Sequence, residues 1–438
     1  MSSRQGLDRQ AHWQAVVDDY QASRRLPSLV AAVLVDGDLA WVGSAGSATG
    51  ADVQYRIGSI TKTMTAVLVL QCRDEGLLGL DDELGRFVPE SGYAEATLRQ
   101  LLSHTAGMQS EPSGPWWERS EGRSFDEIVA ADDGSGRVLA AAEAYHYSNL
   151  GFALLGEVVA RLRSSSWADV VEARLCRPLG MRRTSYLPRP PSAEGFSVDH
   201  LRGTLTPEPA TDTGGMAPAG QLWSTIADLV RFAGFLRSGE AGVLDLSTLD
   251  EMATVQPPAT DYGLGLVTVP GAAMWGHLGS MPGFQACLFV DRQTGQGLVA
   301  LCNGTTGFSG TELVSRMLGP VTPVPPRPWV PTTEVPAWAG ELLGWWFWGN
   351  SAYEARFENG LLELRDLARG GIVAERFDRR SGPDGADRIV GVDGYHLAET
   401  LQVRRTDAGA VHHLECATFV YTRTPYDSTG PIPGASPR

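Results

Sequence analysis

Residues 319 to 336, GPVTPVPPRPWVPTTEVP, constrain the fold of this 438-residue chain more than any other stretch. Proline fixes φ and lacks a backbone N–H, so a run this rich in it can neither prolong a helix nor sit inside a sheet. It makes a semi-rigid, extended connector. The chain is thereby divided into two parts, each needing a core of its own, and their textures differ.

The first part mixes periods. LVAAVLVDGDLAWVGSAG, residues 29 to 46, is two apolar runs around Asp36-Gly37-Asp38, which predicts a hairpin. From Ser59 the spacing of Ile60, Met64, Val67, Leu68 and Cys72 predicts a helix with one apolar face. Residues 80 to about 250 read as helix and loop, with NLGFALLGEVVARL, SWADVVEARLCRPLG and STIADLVRFAGFLRSG the clearest helices. Strand signals return after residue 260 in ACLFVDRQTGQGLVALCNG, and GTELVSRMLG closes the part as a helix. Beyond the prolines come short strands punctuated by Gly, Asn and Asp, the pattern of a small β-barrel or curled sheet. The fold class is therefore α+β with an all-β C-terminal unit. Its boundaries fall at 1–318, a linker at 319–336, a barrel at 337–426 and a disordered tail at 427–438.

The formal charge of −15 and pI near 5.0 argue against a nucleic-acid or anionic-membrane partner. The N-terminal residues lack the pattern of a signal peptide and read as an amphipathic helix, and no run is apolar enough to span a bilayer. A cytoplasmic protein is the expectation. The five cysteines are scattered without a CxxC pair and read as buried free thiols, which suits that compartment.

Lys62 is the single lysine of the chain; every other basic side chain among the 36 is arginine. Arginine cannot give up its proton in a protein, whereas a desolvated lysine can, and so can serve as a base. Ser59 stands three residues earlier on the same helical face, where neighbouring side chains come within about 5–6 Å at Cβ. Two further motifs follow in order: Tyr147-Ser148-Asn149 just before a helix, and His277-Leu278-Gly279 on a strand.

Ser-x-x-Lys, Tyr-x-Asn and His-x-Gly in this order resemble the serine β-lactamase and penicillin-binding-protein superfamily, closest to the class C branch with its esterases and D-peptidases. LLSHTAGM, CRPLGM and GQLWSTIADLVRF are similar to segments of that branch, and the resemblance covers roughly residues 10 to 320. It implies an antiparallel sheet flanked by helices with a mostly helical insertion. It also implies a Ser59 acyl-enzyme, with Lys62 and Tyr147 sharing the general-base and general-acid work and either of them first base. Asn149 would hold Lys62 and the substrate amide, and the backbone N–H groups of Ser59 and Ser280, beside Gly279, would form the oxyanion hole. No metal or organic cofactor is implied. His104 lies in a segment that is structural in the family.

His277 departs from the lysine that most β-lactamases carry there, which moves the reading from antibiotic hydrolysis to esters, amides and peptides, including those with D-residues. The alternative is a stand-alone penicillin-binding-protein-type thioesterase that releases or cyclises a carrier-bound nonribosomal peptide; those proteins resemble this chain in their His motif and C-terminal lipocalin-like barrel. A non-catalytic β-lactam-binding module is a third reading, against which the intact Ser59, Lys62 and Tyr147 speak. In ATFVYTRTPY, strand alternation places Phe419, Tyr421 and Arg423 on one face, so Arg423 is a candidate to reach the cleft and hold a substrate carboxylate.

Overall fold

The computed structural model describes residues 3–47, 50–199, 204–269, 273–319, 335–382 and 385–427. The proline-rich stretch between 320 and 334 and the tail from 428 lie outside the described residues, and with them most of the expected linker and tail.

The predicted hairpin forms, with strands Ser28–Val35 and Asp38–Gly46. Asp36 and Gly37, at φ 54° and 88°, both occupy the left-handed region that a tight two-residue hairpin turn demands. These strands join Gly297–Cys302, Phe284–Asp291, Met274–Met281 and Val267–Thr268 in a six-stranded antiparallel sheet, in that spatial order after the hairpin. Strand alternation divides the interior in two. Leu29, Ala31 and Val33 face the helices Ser3–Ser23 and Gly310–Leu318, whereas Val30, Ala32 and Leu34 face the larger helical core.

The helix Ile60–Asp74 runs through that larger core, and its residues from Ile60 to Cys72 are all buried. The one-sided apolar face expected from spacing is thus a core helix covered on every side, polar Thr61, Thr63 and Thr65 included. Thr63 and Thr65 donate to the carbonyls of Gly265 and Pro218, which removes the cost of burying their hydroxyls. The helices Asn149–Arg163 and Ile226–Ser238 form where capping serine and threonine predict them. SWADVVEARLCRPLG gives only a short α-helix, Trp167–Val171, that widens into a π-turn over Glu172–Cys176.

The C-terminal unit is a closed eight-stranded antiparallel barrel, shut by pairing Phe347 and Trp348 with Thr422 and Tyr421. It is a lipocalin-like arrangement. The barrel leans on the first unit through a ladder of rings: Trp116 stacks on Trp348 at 4.7 Å, and Trp348 on Phe419 at 4.4 Å. Beneath Trp116 lies a buried ion pair, Arg119 with Glu208, joined by two hydrogen bonds of which one measures 2.6 Å. The Arg119 guanidinium also lies 4.3 Å from the Trp116 ring centre, and Glu208 accepts from the Thr305 hydroxyl at 2.8 Å.

Glu208→Ala leaves that guanidinium buried without its carboxylate, a loss of about 3–5 kcal/mol. The expected outcome is a large fall in the urea midpoint followed by circular dichroism; a midpoint within error of the parent would show that water or a neighbour takes over the pairing.

Candidate active site

The site begins with two backbones that nearly touch. Gly58, at φ 52°, lies two residues beyond the short strand Tyr55–Arg56 and starts the turn into the central helix. A Cβ on Gly58 would stand 2.4 Å from the Ser280 nitrogen, and one on Gly279 would stand 2.0 Å from the Ile57 carbonyl oxygen. Only glycine permits that approach. It lays Ser280 of the strand Met274–Met281 against the helix start that carries Ser59.

Ser59 occupies the N-cap position, yet its side chain makes no cap bond. Its Oγ instead accepts a hydrogen bond from Lys62 Nζ at 2.9 Å. The second acceptor for the ammonium is the Ala219 carbonyl at 2.6 Å, and the faces of Tyr147 and Phe152 lie 4.9 and 5.8 Å from Nζ. Burial lowers the Lys62 pKa to about 7, against the opposing pull of Glu111 and Glu118. The Tyr147 phenol is pushed well above its ordinary value by burial, with a hydrogen bond to Ser59 working the other way.

His104 fixes the Tyr-x-Asn segment. Held at φ 57°, it accepts the Ser148 N–H on Nδ1 at 3.0 Å and packs its ring 4.2 Å from that of Tyr147. Asn149 donates through Nδ2 to Glu111 Oε1 at 2.9 Å and to the Tyr395 hydroxyl at 3.0 Å. That corrects the expectation that Asn149 holds Lys62, whose two hydrogen bonds go to Ser59 and Ala219. Glu111 also accepts from Trp117 Nε1 at 2.5 Å and from the Tyr395 hydroxyl. Burial, then the charge of Glu118, raises the Glu111 carboxyl to about 7.

His277 takes one tautomer, with Nδ1 donating to the Leu278 carbonyl at 2.5 Å and Nε2 accepting from the Tyr262 hydroxyl at 3.0 Å. Burial pushes its pKa down to about 3, so the ring is neutral and offers no charge to a substrate carboxylate.

Ser59, Tyr147, Asn149, His277, Gly279 and Ser280 line one cavity of about 530 Å³. Its far wall belongs to the barrel: Trp348, Tyr353, Tyr395, Phe419 and Tyr421 complete it. Arg423 does not. The strand Phe419–Thr422 stops short of it, and its guanidinium donates to the carbonyls of Glu341, Leu343 and Trp345 while lying 3.7 Å from the Trp346 ring centre. The alternation that brings Phe419 and Tyr421 to the cavity therefore breaks one residue before Arg423.

Sequence reasoning missed Glu111, Glu118 and Tyr395. Glu111 and Tyr395 are separated by 284 residues, and no local spacing can announce such a pair. A buried group of His396, Glu399 and Cys416 was also missed; their potential ligand atoms lie within 4.8 Å of one another. His396 Nδ1 and Glu399 Oε2 are 2.7 Å apart; burial opposes both charges, yet Cys416 and Glu375, then Glu399, raise the imidazole, and His146 and His396 lower the Glu399 carboxyl. All five cysteines are buried free thiols, as expected, and no helix among the described residues is long and apolar enough to cross a membrane.

A family model described as Beta-lactamase matches residues 13–317, and one described as a domain of unknown function matches 335–423. "Penicillin-binding protein 4" of Amycolatopsis lactamdurans is 30% identical over 351 residues, 70% of this chain and 89% of that protein. Among solved structures, a D-stereospecific amidohydrolase from Streptomyces sp. shares 28% identity at a TM-score of 0.59, covering 70% of this chain and 97% of its own. The structure of SurE, at 24% identity and a TM-score of 0.63, covers 96% of this chain and 100% of its own, a likeness of fold that includes the barrel.

Gly279→Ala forces a Cβ into the Ile57 carbonyl and so pushes the helix start away from Ser280. Labelling of Ser59 by a fluorophosphonate should slow at least about a hundredfold, and stability should fall by about 1–3 kcal/mol, the cost of overpacking. Parental labelling rates would show that the site does not depend on this approach.

Proposed function

The chain belongs to the Beta-lactamase family of serine hydrolases, and from that premise we propose that it cleaves the amide bond after an N-terminal D-residue through a Ser59 acyl-enzyme. The observation that carries this reading is the 2.9 Å hydrogen bond between Ser59 and a buried Lys62 whose pKa sits near 7. An amine so placed is half unprotonated at neutral pH and takes the serine proton as Oγ attacks the carbonyl. Tyr147 keeps its own proton until it can pass one to the leaving nitrogen, and regains one from Lys62. The C–N bond breaks, water attacks the ester, and the proton path runs in reverse to free Ser59. The backbone N–H groups of Ser59 and Ser280 receive the oxyanion, worth a few kcal/mol in the transition state.

The electrostatics of the cavity favour an α-ammonium over an acylated amine. Glu111, which accepts from Asn149, and Glu118, which accepts from Trp116, both line it, and a cation entering there favours their ionised forms. Neutral His277 supports the move away from β-lactams, whose carboxylate needs a charge at that position. Preference for the D-enantiomer is supported by the likeness to the Streptomyces amidohydrolase. The barrel wall of the cavity favours a second reading, a thioesterase acting on a longer carrier-bound peptide, for which D-residue amides would be poor substrates.

Lys62→Arg keeps the charge and loses the base. Acylation by a D-phenylalanine anilide should fall at least about a hundredfold, with Ser59→Ala as the inactive control. An arginine variant that acylates at the parental rate would make Tyr147 the base.

The pH profile tests the same assignment. The active form has Lys62 neutral and Glu111 ionised, and both groups titrate near 7, so both must lose a proton as pH rises. On a logarithmic scale kcat/KM should climb with a slope approaching two below about pH 6, and fall again above about 8 as the substrate α-ammonium loses its charge. In Glu111→Gln the slope should drop to one. A flat profile from pH 5 to 9 would remove Lys62 as the base.

A further inference from the structure

The cavity has two charged ends, and the mechanism uses only one. Glu111 and Glu118 stand near Ser59, while the barrel end carries Tyr353, Tyr421, Glu375 and Arg369. Among the described residues that line the cavity, Arg369 is the single lysine or arginine. His277, the other basic group there, is neutral.

Arg369 sits on the turn between the barrel strands Leu361–Asp366 and Ile372–Ser381. The turn is held by Asp366, which accepts from the backbone N–H of Ala368 at 2.9 Å and of Arg369 at 3.3 Å. It is also tied to the first unit, where Arg24 bridges the Ala368 carbonyl and Glu312. The Arg369 side chain itself is left over. Its Nε is shut off from water with no hydrogen-bond partner, and its charge acts on Asp366, whose carboxylate already accepts two backbone N–H groups. Glu375, which shares the wall, is turned to the backbone N–H of His396 at 3.2 Å. The contrast with other barrel arginines is sharp: Arg365 and Arg376 pair with Glu363, Arg405 with Glu341, and Arg423 with three carbonyls.

Only Nε of this half-buried side chain is enclosed; the guanidinium cannot shed its proton, and an anion that replaces water on its other nitrogens gains charge-assisted hydrogen bonds. A carboxylate fits its planar fork with two parallel hydrogen bonds. We infer that Arg369 anchors a carboxylate at the far end of the substrate, and that the preferred substrates are short zwitterionic peptides. Their ammonium lies by Glu111, their scissile amide at Ser59 and their C-terminal carboxylate at Arg369. The inference rests on the amidohydrolase reading for which end enters first, but the carboxylate site can be measured without turnover.

The test uses the full chain carrying Ser59→Ala, and two ligands, D-Phe-Gly-Gly and its C-terminal amide, titrated by calorimetry. The free acid should bind at least about tenfold more tightly than the amide. Adding Arg369→Ala should erase that ratio, and so should Arg369→Gln, which keeps a polar side chain on the turn. Arg369→Lys should retain part of it, since a point charge replaces the fork. Equal affinities in the Ser59→Ala protein, undetectable binding of the free acid, or a ratio that survives the loss of Arg369 would overturn the proposal. If the ratio behaves as expected while the parent chain fails to hydrolyse either peptide, the carboxylate site stands and the amidohydrolase reading falls.

Discussion

Burial of one ammonium organises the core around the site. Lys62 is fully enclosed, and both atoms that accept from it are uncharged: a serine hydroxyl and a backbone carbonyl. Aromatic faces cover the rest. A carboxylate in direct contact would have stabilised the charged form and carried the pKa upward, ending its usefulness as a base. The acids are present, but one step back, where Glu111 is occupied by Asn149, Trp117 and Tyr395. His104 and His277 are driven towards their neutral forms by the same burial, with the Lys62 charge adding to it. The two histidines therefore act as oriented hydrogen-bonding rings rather than as cations, and the region holds a single titrating amine.

How much of this was legible depended on distance along the chain. Ser59 and Lys62 were readable because a helical turn brings i and i+3 together whatever the rest of the protein does. The Asp36-Gly37 hairpin was readable for the same reason, its two left-handed residues being a local requirement. Most barrel strands announced themselves through turn residues, but HHLECATFVYTR reads as one run, and the turn at Ala417-Thr418 that splits it carries no such mark. The order of the three motifs also brought Tyr147, His277 and Ser280 to the Ser59 cavity, but two side-chain pairings that needed a partner from elsewhere failed. Asn149 was expected on Lys62 by family resemblance, but Tyr395, 246 residues away, and Glu111 take its amide. Arg423 was expected to follow Phe419 and Tyr421 into the cavity, but the ladder ends at Thr422, and three free carbonyls nearby satisfy the guanidinium at less cost than a cavity wall would. The arginine that does face the cavity, Arg369, sits on a barrel turn with no sequence mark to distinguish it from its paired neighbours.

The barrel is more than a cover, because its loop 394–399 holds parts of the first unit in place. Glu399 accepts the backbone N–H of Ser110 at 3.1 Å, and the Ser110 carbonyl in turn accepts the N–H of Asn149 at 2.7 Å. Ser110 is also the residue before Glu111. One barrel carboxylate thus fixes both the loop that carries the cavity's acid and the first turn of the helix that carries its amide. Glu399 does this most strongly while ionised, when the hydrogen bond is charge-assisted. Burial alone would raise its pKa, but hydrogen bonds with His146 and His396 hold it well below the ordinary carboxylate range. A carboxylate held that low keeps its charge across the whole range in which Lys62 and Glu111 titrate. The acid that docks the barrel and the groups that change protonation near neutrality are therefore separated in pKa, so the Ser110 anchor persists while the Tyr395–Glu111 contact of the same loop responds to each protonation.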